Sequence, residues 1–255
     1  MRVKILGAHQ AESRDHRFIS ILIDDRMVID AGGLTSTLTL EEQLRLEAVL
    51  ITHRHFDHIK DLPPLVHNLW ETRSLDLYCI QDVRDMLAAH VFNDLLWPAV
   101  YLPVDGKHPL VFHTIEPGKP FEVLGYRVLA LSVPHTVPAV GYYVERHGKR
   151  LFYTADTRST GGNPPWANLP LDLLIVETTM HSGDDRRAAS VGHLTPRSLQ
   201  GELQAYHTKQ GYYPRVVCVH INPGHESRIR EEIASLASEL GANLDMGHEG
   251  MIIEL

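Results

Sequence analysis

The chain has 255 residues, of which 44% are hydrophobic and 22% are charged, a composition close to that of an ordinary globular protein. These values exclude a disordered tail, a collagen-like repeat and a small disulfide scaffold, and a chain of this length can bury a substantial core. The formal net charge of -8 does not favour a nucleic acid partner, because proteins that bind polyanions are usually basic.

Apolar and β-branched runs in the first half of the chain predict strands, and amphipathic runs predict helices. The predicted strands are residues 3–6, 18–23, 27–29, 48–51 and 75–80. The predicted helices are residues 40–46, residues 65–71 with a start near Pro63 and Pro64, and residues 83–92. Proline is tolerated at such a start because the first backbone N–H groups of a helix have no partner within it.

The second half of the chain repeats this pattern. Its predicted strands are residues 127–133, 141–145, 150–153, 173–176, 216–219 and 251–255. One helix is predicted from Pro196 to about residue 210, with Thr195 as its N-cap, and a second over 226–240, ending at Gly241. We expect residues 1–255 to form a single domain in which helices cover two sheets.

Signals for export or membrane insertion are not seen in the sequence. The first residues are strand-like rather than a signal peptide, and no run approaches the ~20 apolar residues that a membrane-spanning helix needs. Cys79 and Cys218 are too few for a disulfide framework and are compatible with a reducing compartment. We therefore expect a cytoplasmic protein without a membrane partner.

The chain contains 17 histidines, and three of them lie in one short segment directly after a predicted strand. This segment places four metal-binding side chains within six residues: His53, His55, Asp57 and His58. In an extended stretch, residues two apart point to the same side, so that His53 and His55 can share one ion. A turn into the next helix then directs Asp57 and His58 towards a second point a few Å away, as a two-metal site requires.

Three more metal-binding residues each follow a predicted strand further along the chain, namely His135, Asp156 and His220. Imidazole nitrogens and carboxylate oxygens are both common ligands of zinc, and the two oxygens of Asp156 would allow it to bridge two ions. Together with the four residues of the first segment, they supply seven ligands for a dinuclear site. We expect zinc, but iron and manganese use the same ligand types, so these residues do not distinguish Zn²⁺ from Mn²⁺ or Fe²⁺.

The segment from Thr52 to His58 resembles the HxHxDH signature of the metallo-β-lactamase-fold hydrolases. The resemblance extends over almost the whole chain and implies an α/β fold, a four-layer αβ/βα sandwich with the site at the edge between the sheets. It implies that one metal is held by His53, His55 and His135, that the other is held by Asp57, His58 and His220, and that Asp156 bridges them. Asp30 matches an aspartate of the family that supports the ligands from behind.

Two further segments resemble the phosphodiesterase branch of this family, which contains the class II cyclic nucleotide phosphodiesterases and ribonuclease Z. One includes Glu177, and the other runs from Gly192 to Pro196. The resemblance makes His193 the candidate general acid, with a structural hydrogen-bonding role as the alternative. Asp57 and Asp156 are the other candidate catalytic residues.

The resemblance implies a dinuclear metal-dependent phosphodiesterase that uses a metal-bridging hydroxide on a cyclic nucleotide or another small anionic phosphodiester. The alternatives are a ribonuclease Z-like tRNA 3′ endonuclease, a thioester or lactone hydrolase, and a metal-binding module without activity. Family members are often dimers, so a homodimer is expected by analogy. Cys218 would share a face with His220 if its strand is regular. Several histidines have no assigned role: His9, His16, His181, His225 and His248.

Overall fold

Two β-sheets form the centre of the protein. We analysed a computed structural model that describes residues 1–103 and 106–255. The strands of the described residues, in chain order, are β1 Arg2–Gly7, β2 Ser20–Ile23, β3 Met27–Ile29, β4 Ala48–Leu50, β5 Leu75–Cys79, β6 Leu110–Thr114, β7 Pro120–Val123, β8 Tyr126–Val133, β9 Ala139–Arg146, β10 Lys149–Tyr153, β11 Leu173–Glu177, β12 Arg215–Val219, β13 Leu244–Met246 and β14 Ile252–Glu254.

Helices cover the outer faces of these sheets. The α-helices of the described residues are α1 Leu40–Gln43, α2 Phe56–Ile59, α3 Leu62–Leu69, α4 Gln81–Met86, α5 Asp185–Val191, α6 Pro196–Gln210 and α7 Glu226–Leu240. A π-helix, Leu87–Val91, continues α4. Within the described residues, no helix has the length and apolar character needed to cross a membrane.

Each sheet has seven strands and combines antiparallel with parallel pairing. The first sheet has the order β14-β1-β2-β3-β4-β5-β6, and the second has the order β13-β12-β11-β10-β9-β8-β7. Strands β3 to β6 are parallel to one another, as are β10 to β13. In parallel sheets, residues that follow the strands gather at one edge, where ligand sites usually lie.

The apolar core has two parts that define the layers. One buried cluster contains residues of both sheets, such as Val49 and Tyr142, and also Leu65 of α3. A second cluster joins the second sheet to α6 and α7, through residues such as Leu203 and Ile229. The order helix, sheet, sheet, helix is the predicted four-layer sandwich, and the fold prediction is confirmed.

The helix termini that carry capping residues agree best with the sequence predictions. Helix α6 begins after the predicted N-cap Thr195, whose side chain accepts a hydrogen bond from the backbone N–H of Ser198. Helix α7 has the predicted bounds, and Gly241 follows it with a φ of 61°. That left-handed conformation favours glycine because a Cβ atom crowds it.

Other boundaries differ from the predictions because tertiary contacts override local pattern. Helix α1 ends at Gln43, before the predicted 46, since the backbone N–H of Glu47 bonds to the carbonyl of Arg26 at 2.9 Å and starts the pairing of β4. The predicted helix 83–92 becomes a π-helix in its second half, where the N–H of Phe92 bonds to the carbonyl of Leu87 at 2.8 Å.

The sequence predictions missed three strands and two α-helices of the described residues, namely β6, β7, β13, α2 and α5. The clearest case is α5, which lies in a stretch where neither a helix nor a strand was predicted. This helix packs through Ala188, which is buried, and the hydroxyl of Thr195 donates a hydrogen bond to Asp185. A contact of this kind, between residues ten positions apart, is not visible in local periodicity.

Candidate metal centre

The seven predicted metal ligands lie at the same edge of the two sheets. His53 and His55 follow β4, and Asp57 and His58 lie on the short helix α2. The remaining three follow β8, β10 and β12 as predicted: His135, Asp156 and His220. The structure therefore brings together all seven residues in two groups that share Asp156.

Left-handed backbone conformations direct several of these side chains. His220 has a φ of 59°, and Ala155, directly before Asp156, has a φ of 56°. Asp30, which follows β3, also has a φ of 59°. Such conformations cost about 1–2 kcal/mol each for residues other than glycine, and they cluster at functional sites. The turns at the strand ends are thus held in place by the surrounding contacts.

The first group consists of three histidines and Asp156. The Nδ1 atom of His55 lies 3.1 Å from the Nε2 of His53 and 3.2 Å from the Nε2 of His135. The Oδ2 atom of Asp156 lies 3.7 Å from the Nε2 of His53 and 3.9 Å from that of His135. Four ligand atoms therefore face a common point, an arrangement that suits a cation.

The second group contains Asp57, His58, His220 and the same oxygen of Asp156. The Nε2 atom of His220 lies 3.1 Å from the Oδ2 of Asp57 and 3.5 Å from the Oδ2 of Asp156. The Nε2 atom of His58 lies 3.7 Å and 3.4 Å from those two oxygens. Asp156 is thus the residue that could contact two ions at once.

Two buried atoms of the site lack a hydrogen-bond partner among the described residues, namely Nε2 of His58 and Oδ1 of Asp156. A buried polar atom without a partner costs free energy, and native proteins rarely leave one in this state. Both atoms are metal-ligand types: His58 belongs to the second group, and Asp156 is shared by the two groups. The residues therefore fit a bound divalent cation better than they fit a self-contained hydrogen-bond network.

Burial keeps three of the histidines neutral. It lowers the pKa of His53 well below its usual range, and the neighbouring His58 adds to this effect. Burial likewise lowers the pKa of His55 and of His135. A neutral imidazole presents the lone pair that a metal requires, so the first group is ready to bind without losing protons.

The second group is dominated by carboxylates. Burial by itself raises the pKa of Asp57, but His58 and His220 outweigh it and lower the pKa to about 2. Burial by itself also lowers the pKa of His58, but Asp156, Asp30 and Asp57 raise it well above its usual range. The negative potential of these three carboxylates is the electrostatic basis for attracting a cation.

Supporting residues orient the ring of each histidine from behind. Asp30 accepts hydrogen bonds from Nδ1 of His58 at 2.7 Å and from the backbone N–H of Thr52 at 2.9 Å. The hydroxyl of Thr52 donates to Asp30 and lies 3.0 Å from Nδ1 of His53. Nδ1 of His135 donates to the carbonyl of Gly192 at 2.9 Å. These contacts leave the Nε2 atoms of the three rings facing the centre of the site.

Glu177, at the end of β11, accepts several hydrogen bonds close to the site. The sequence had pointed to its segment, but no role was predicted for this residue. It is fully buried and accepts hydrogen bonds from the backbone N–H groups of Thr157 and Thr179. The hydroxyl of Thr179 also donates to it at 2.8 Å and lies 2.8 Å from Nδ1 of His220. Its position after a strand on the same edge as Asp156 was the signal that could have identified it.

The candidate general acid, His193, lies beside the second group. Its Nδ1 atom donates to Glu177 at 3.0 Å, and its ring stacks on that of His220 with centroids 5.3 Å apart. Burial by itself lowers the pKa of His193, but Glu177 and Asp156 outweigh it and raise the pKa to about 9. The Nε2 atom has no hydrogen bond to the described residues, so it is the ring atom available to a ligand.

Cys218 does not share a face with His220, contrary to the expectation for a regular strand. Its side chain belongs to the buried cluster under α6 and α7, whereas Val217 and Val219 face the core between the sheets. The left-handed conformation of His220 interrupts the alternation of the strand and turns that side chain towards the site. Burial raises the pKa of the Cys218 thiol to about 12, so it stays neutral.

Most of the chain matches a known protein family. The family described as "Beta-lactamase superfamily domain" matches residues 25–221. The chain belongs to this family. The match contains all seven predicted ligands as well as His193 and Glu177, and it confirms the metallo-β-lactamase fold that the HxHxDH resemblance implied.

Relatives of the chain include proteins named Ribonuclease Z and Hydroxyacylglutathione hydrolase. A "Ribonuclease Z" of Acaryochloris marina is 26% identical over 176 residues, which cover 64% of this chain and 54% of the relative. A "Hydroxyacylglutathione hydrolase" of Vibrio cholerae is 31% identical and covers 66% of this chain and 60% of that protein. These alignments span little more than half the length of the relatives. A "Ribonuclease Z" of Myxococcus xanthus is 21% identical over 100% of this chain and 98% of its own length.

Solved structures show the same superfamily fold at low sequence identity. The metallo-beta-lactamase fold protein YhfI of Bacillus subtilis has a TM-score of 0.78 at 19% identity, over 99% of each chain. Yeast PDE1 has a TM-score of 0.81 at 18% identity, over 100% of this chain and 99% of its own. The short form of human tRNase Z has a TM-score of 0.74 at 19% identity, with the same coverage. The fold is thus confirmed, and ribonuclease Z proteins and a phosphodiesterase are among the proteins to which the chain is similar.

Proposed function

We propose that this protein is a dinuclear metal-dependent phosphodiesterase that hydrolyses a cyclic nucleotide or another small phosphodiester. The observation that carries the proposal is the pair of His/Asp groups joined through Asp156, together with two buried ligand-type atoms that have no hydrogen-bond partner among the described residues. Groups that share one carboxylate place two ions close together, and two-metal sites of that kind are typical of phosphoester hydrolysis.

Each proposed ion has a defined set of ligands. The first would be held by His53, His55 and His135, and the second by Asp57, His58 and His220, while Asp156 belongs to both groups. Zinc suits these nitrogen and oxygen donors best, with Mn²⁺ or Fe²⁺ as alternatives. When bound, two such cations supply Lewis acidity that activates water and neutralises charge on a phosphate.

His193 provides a proton donor in this proposal. Because Glu177 accepts the hydrogen bond from its Nδ1 atom, a protonated ring presents its other proton on Nε2. That proton would be donated to a phosphate oxygen or to the departing alkoxide. Asp57 and Asp156 would contribute carboxylates that balance the positive charge of the cations.

The relatives support two other reactions of the same site. Two relatives are named Ribonuclease Z, and one of them aligns over 100% of this chain. This similarity favours RNA as the first alternative substrate. The 31% identical relative named as a hydroxyacylglutathione hydrolase favours a thioester as the second. We place a small phosphodiester first because a net charge of -8 does not favour a long polyanion.

The decisive experiment is hydrolysis of bis(p-nitrophenyl) phosphate by zinc- or manganese-loaded protein. Turnover is expected for the wild type, and its loss is expected for Asp156→Ala. Asp245→Ala, whose side chain pairs with Arg215 on the second sheet, is the matched control and should keep the activity. Absence of turnover by protein that holds two metals per chain would contradict the proposal.

Three substrates then separate the alternatives. A cyclic nucleotide, a precursor tRNA and a glutathione thioester are offered to the same preparation, and kcat/KM is compared. We expect the cyclic nucleotide to give the highest value. A higher value for precursor tRNA would assign the ribonuclease reaction, and a higher value for the thioester would assign acyl hydrolysis.

A further inference from the structure

A third group of metal-binding side chains lies outside the dinuclear centre. It consists of His9 and His16, both in the segment between β1 and β2, and Glu226, the first residue of α7. These residues are distant in sequence, and one potential ligand atom from each lies within 4.8 Å of the others. The sequence analysis assigned no role to either histidine.

His9 is buried, and one of its two ring nitrogens has no hydrogen-bond partner among the described residues. Only 3% of its surface is exposed, and its Nδ1 atom donates to Oε1 of Glu249 at 2.7 Å. Its Nε2 atom therefore carries the lone pair in the neutral ring, and this buried atom has no hydrogen-bond partner among the described residues. The Oε2 atom of Glu226 lies 3.6 Å from this Nε2 atom.

The hydrogen bond from His9 to Glu249 reproduces an arrangement that is found behind many metal-binding histidines. In such sites a carboxylate accepts the N–H of the ring, which fixes the tautomer and leaves the other nitrogen for the ion. Glu249 occupies that position behind His9. A lone pair that faces a second carboxylate across 3.6 Å is unfavourable without a cation between them.

His16 and Glu226 complete the group from the other side. Nδ1 of His16 is hydrogen-bonded to the hydroxyl of Ser13 at 2.8 Å, and its Nε2 lies 3.4 Å from Oε2 of Glu226. Arg230 donates to the other oxygen of Glu226 at 2.8 Å, which leaves Oε2 for the histidines. The two imidazole rings meet edge to face, with centroids 4.4 Å apart.

The group of His181, Asp184 and His225 is a useful contrast within the same molecule. Nδ1 of His181 accepts a hydrogen bond from the backbone N–H of Gly183 at 3.1 Å, so the ring proton is on Nε2. That Nε2 faces Asp184 at 3.3 Å as a donor. No buried side-chain atom of this group lacks a hydrogen-bond partner among the described residues, whereas Nε2 of His9 does.

We propose that His9, His16 and Glu226 bind a third divalent cation, zinc, separately from the dinuclear centre. Two nitrogens and one carboxylate oxygen, with water in the fourth position, are an established zinc environment. Ligand atoms on a tetrahedral zinc lie about 3.4 Å apart, given bond lengths of about 2.0–2.1 Å. The observed separations of 3.6 Å and 3.4 Å from Glu226 match that spacing.

The proposed ion has a structural role. It ties the segment between β1 and β2 to the start of α7. His9 also pairs with Ile221, which directly follows His220, so the ion stabilises the turn that carries one ligand of the dinuclear centre. Zinc is therefore expected to raise the melting temperature through this group as well as through the dinuclear centre.

Counting zinc atoms per chain tests the proposal. Wild-type protein and His16→Ala are loaded with zinc, dialysed against metal-free buffer and measured by mass spectrometry of the metal. The variant should hold one zinc fewer than the wild type. This difference does not depend on the occupancy of the dinuclear centre, so the result is distinct from success or failure of the proposed phosphodiesterase.

The controls make the count specific. His181→Ala should keep the wild-type number, and Glu226→Gln, which keeps the side-chain shape, should lose one zinc as His16→Ala does. Glu249→Gln should weaken binding at this site by about 10–100-fold, the usual effect of removing a supporting carboxylate. Equal zinc content in His16→Ala and wild type would overturn the proposal, and so would a loss in His181→Ala equal to that in His16→Ala.

Discussion

At the scale of single residues, the centre depends on which nitrogen of each imidazole carries the proton. Nδ1 of His58 donates to Asp30, that of His135 to the carbonyl of Gly192, and that of His220 lies against the hydroxyl of Thr179. Nδ1 is engaged in each case, and Nε2 is left for the centre. His55 is the exception, since its Nδ1 is the atom that faces the other rings.

Asp30→Asn tests this orientation directly. Asparagine tolerates the φ of 59° at this position. Its side chain, however, has an NH₂ group in place of one oxygen, and because this group cannot accept a hydrogen bond, asparagine cannot replace the carboxylate as the acceptor for both His58 and Thr52. Zinc affinity of the dinuclear centre should fall about 10–100-fold, as measured by competition with a chelator. Asp25→Asn, in the turn between β2 and β3, is the control, and equal affinities in the two variants would argue against the role of Asp30.

His193→Ala separates a proton donor from a metal ligand. If Nε2 of His193 donates a proton to the substrate, turnover should fall by about 10²–10⁴-fold, with KM changed less than kcat. Metal content should stay at the wild-type value, because the Nδ1 of this ring is engaged by Glu177. Steady-state kinetics and metal analysis on one preparation give both quantities. Loss of a metal ion from the variant would show that the residue is a ligand instead.

At the scale of elements, the strand ends explain what could be predicted. His135, Asp156 and His220 were predictable because each follows an apolar run, and the ends of neighbouring strands meet at one edge. Glu177 satisfies the same condition, but a single carboxylate after a strand gives no hint that five hydrogen bonds will converge on it. The His9 group was beyond prediction, since it joins two segments more than 200 residues apart.

The C-terminal ends of α5 and α6 carry a matched pair of glycines. Gly192 ends α5 with a φ of 87°, and a Cβ atom there would lie 2.5 Å from Nδ1 of His135. Gly211 ends α6 with a φ of 79°, and a Cβ atom there would meet nothing within 4 Å. The two positions share backbone strain and differ in their proximity to the site.

Alanine at either position should therefore lower the free energy of unfolding by about 1–2 kcal/mol, the cost of a left-handed residue. Only Gly192→Ala should also weaken metal binding, because it displaces the ring of His135. Urea denaturation measures the first effect and chelator competition the second. Equal metal affinities in the two variants would remove the link between this helix end and the site.

At the scale of the whole molecule, the first and the last strand of the chain lie side by side at one edge of the first sheet. Strand β14 pairs with β1, and the loop before β14 carries Glu249 back to the beginning of the chain. The carboxylate of Glu249 accepts hydrogen bonds from Nδ1 of His9 at 2.7 Å and from the backbone N–H of Arg17 at 2.9 Å. It therefore joins the C-terminal part of the chain to the segment between β1 and β2.

This contact predicts a pH dependence of stability. Burial by itself raises the pKa of Glu249, but the hydrogen bonds from His9 and Arg17 outweigh it and lower the pKa from 4.5 to about 2. A carboxylate whose pKa is lower in the folded than in the unfolded state stabilises the fold above the unfolded pKa. That contribution, on the order of 2–3 kcal/mol, is lost as the pH falls from about 4.5 towards 2.

Glu249→Gln should thus be less stable than the wild type at pH 7, and the difference in unfolding free energy should shrink as the pH falls below 4.5. Denaturation in EDTA at several pH values measures this difference without any contribution from bound zinc. Other carboxylates, including Asp57, titrate equally in both proteins, so they cancel in the comparison. The exposed Glu231→Gln is the control and should match the wild type throughout. A stability difference that stays constant from pH 7 to pH 3 would show that Glu249 acts through packing rather than through its charge.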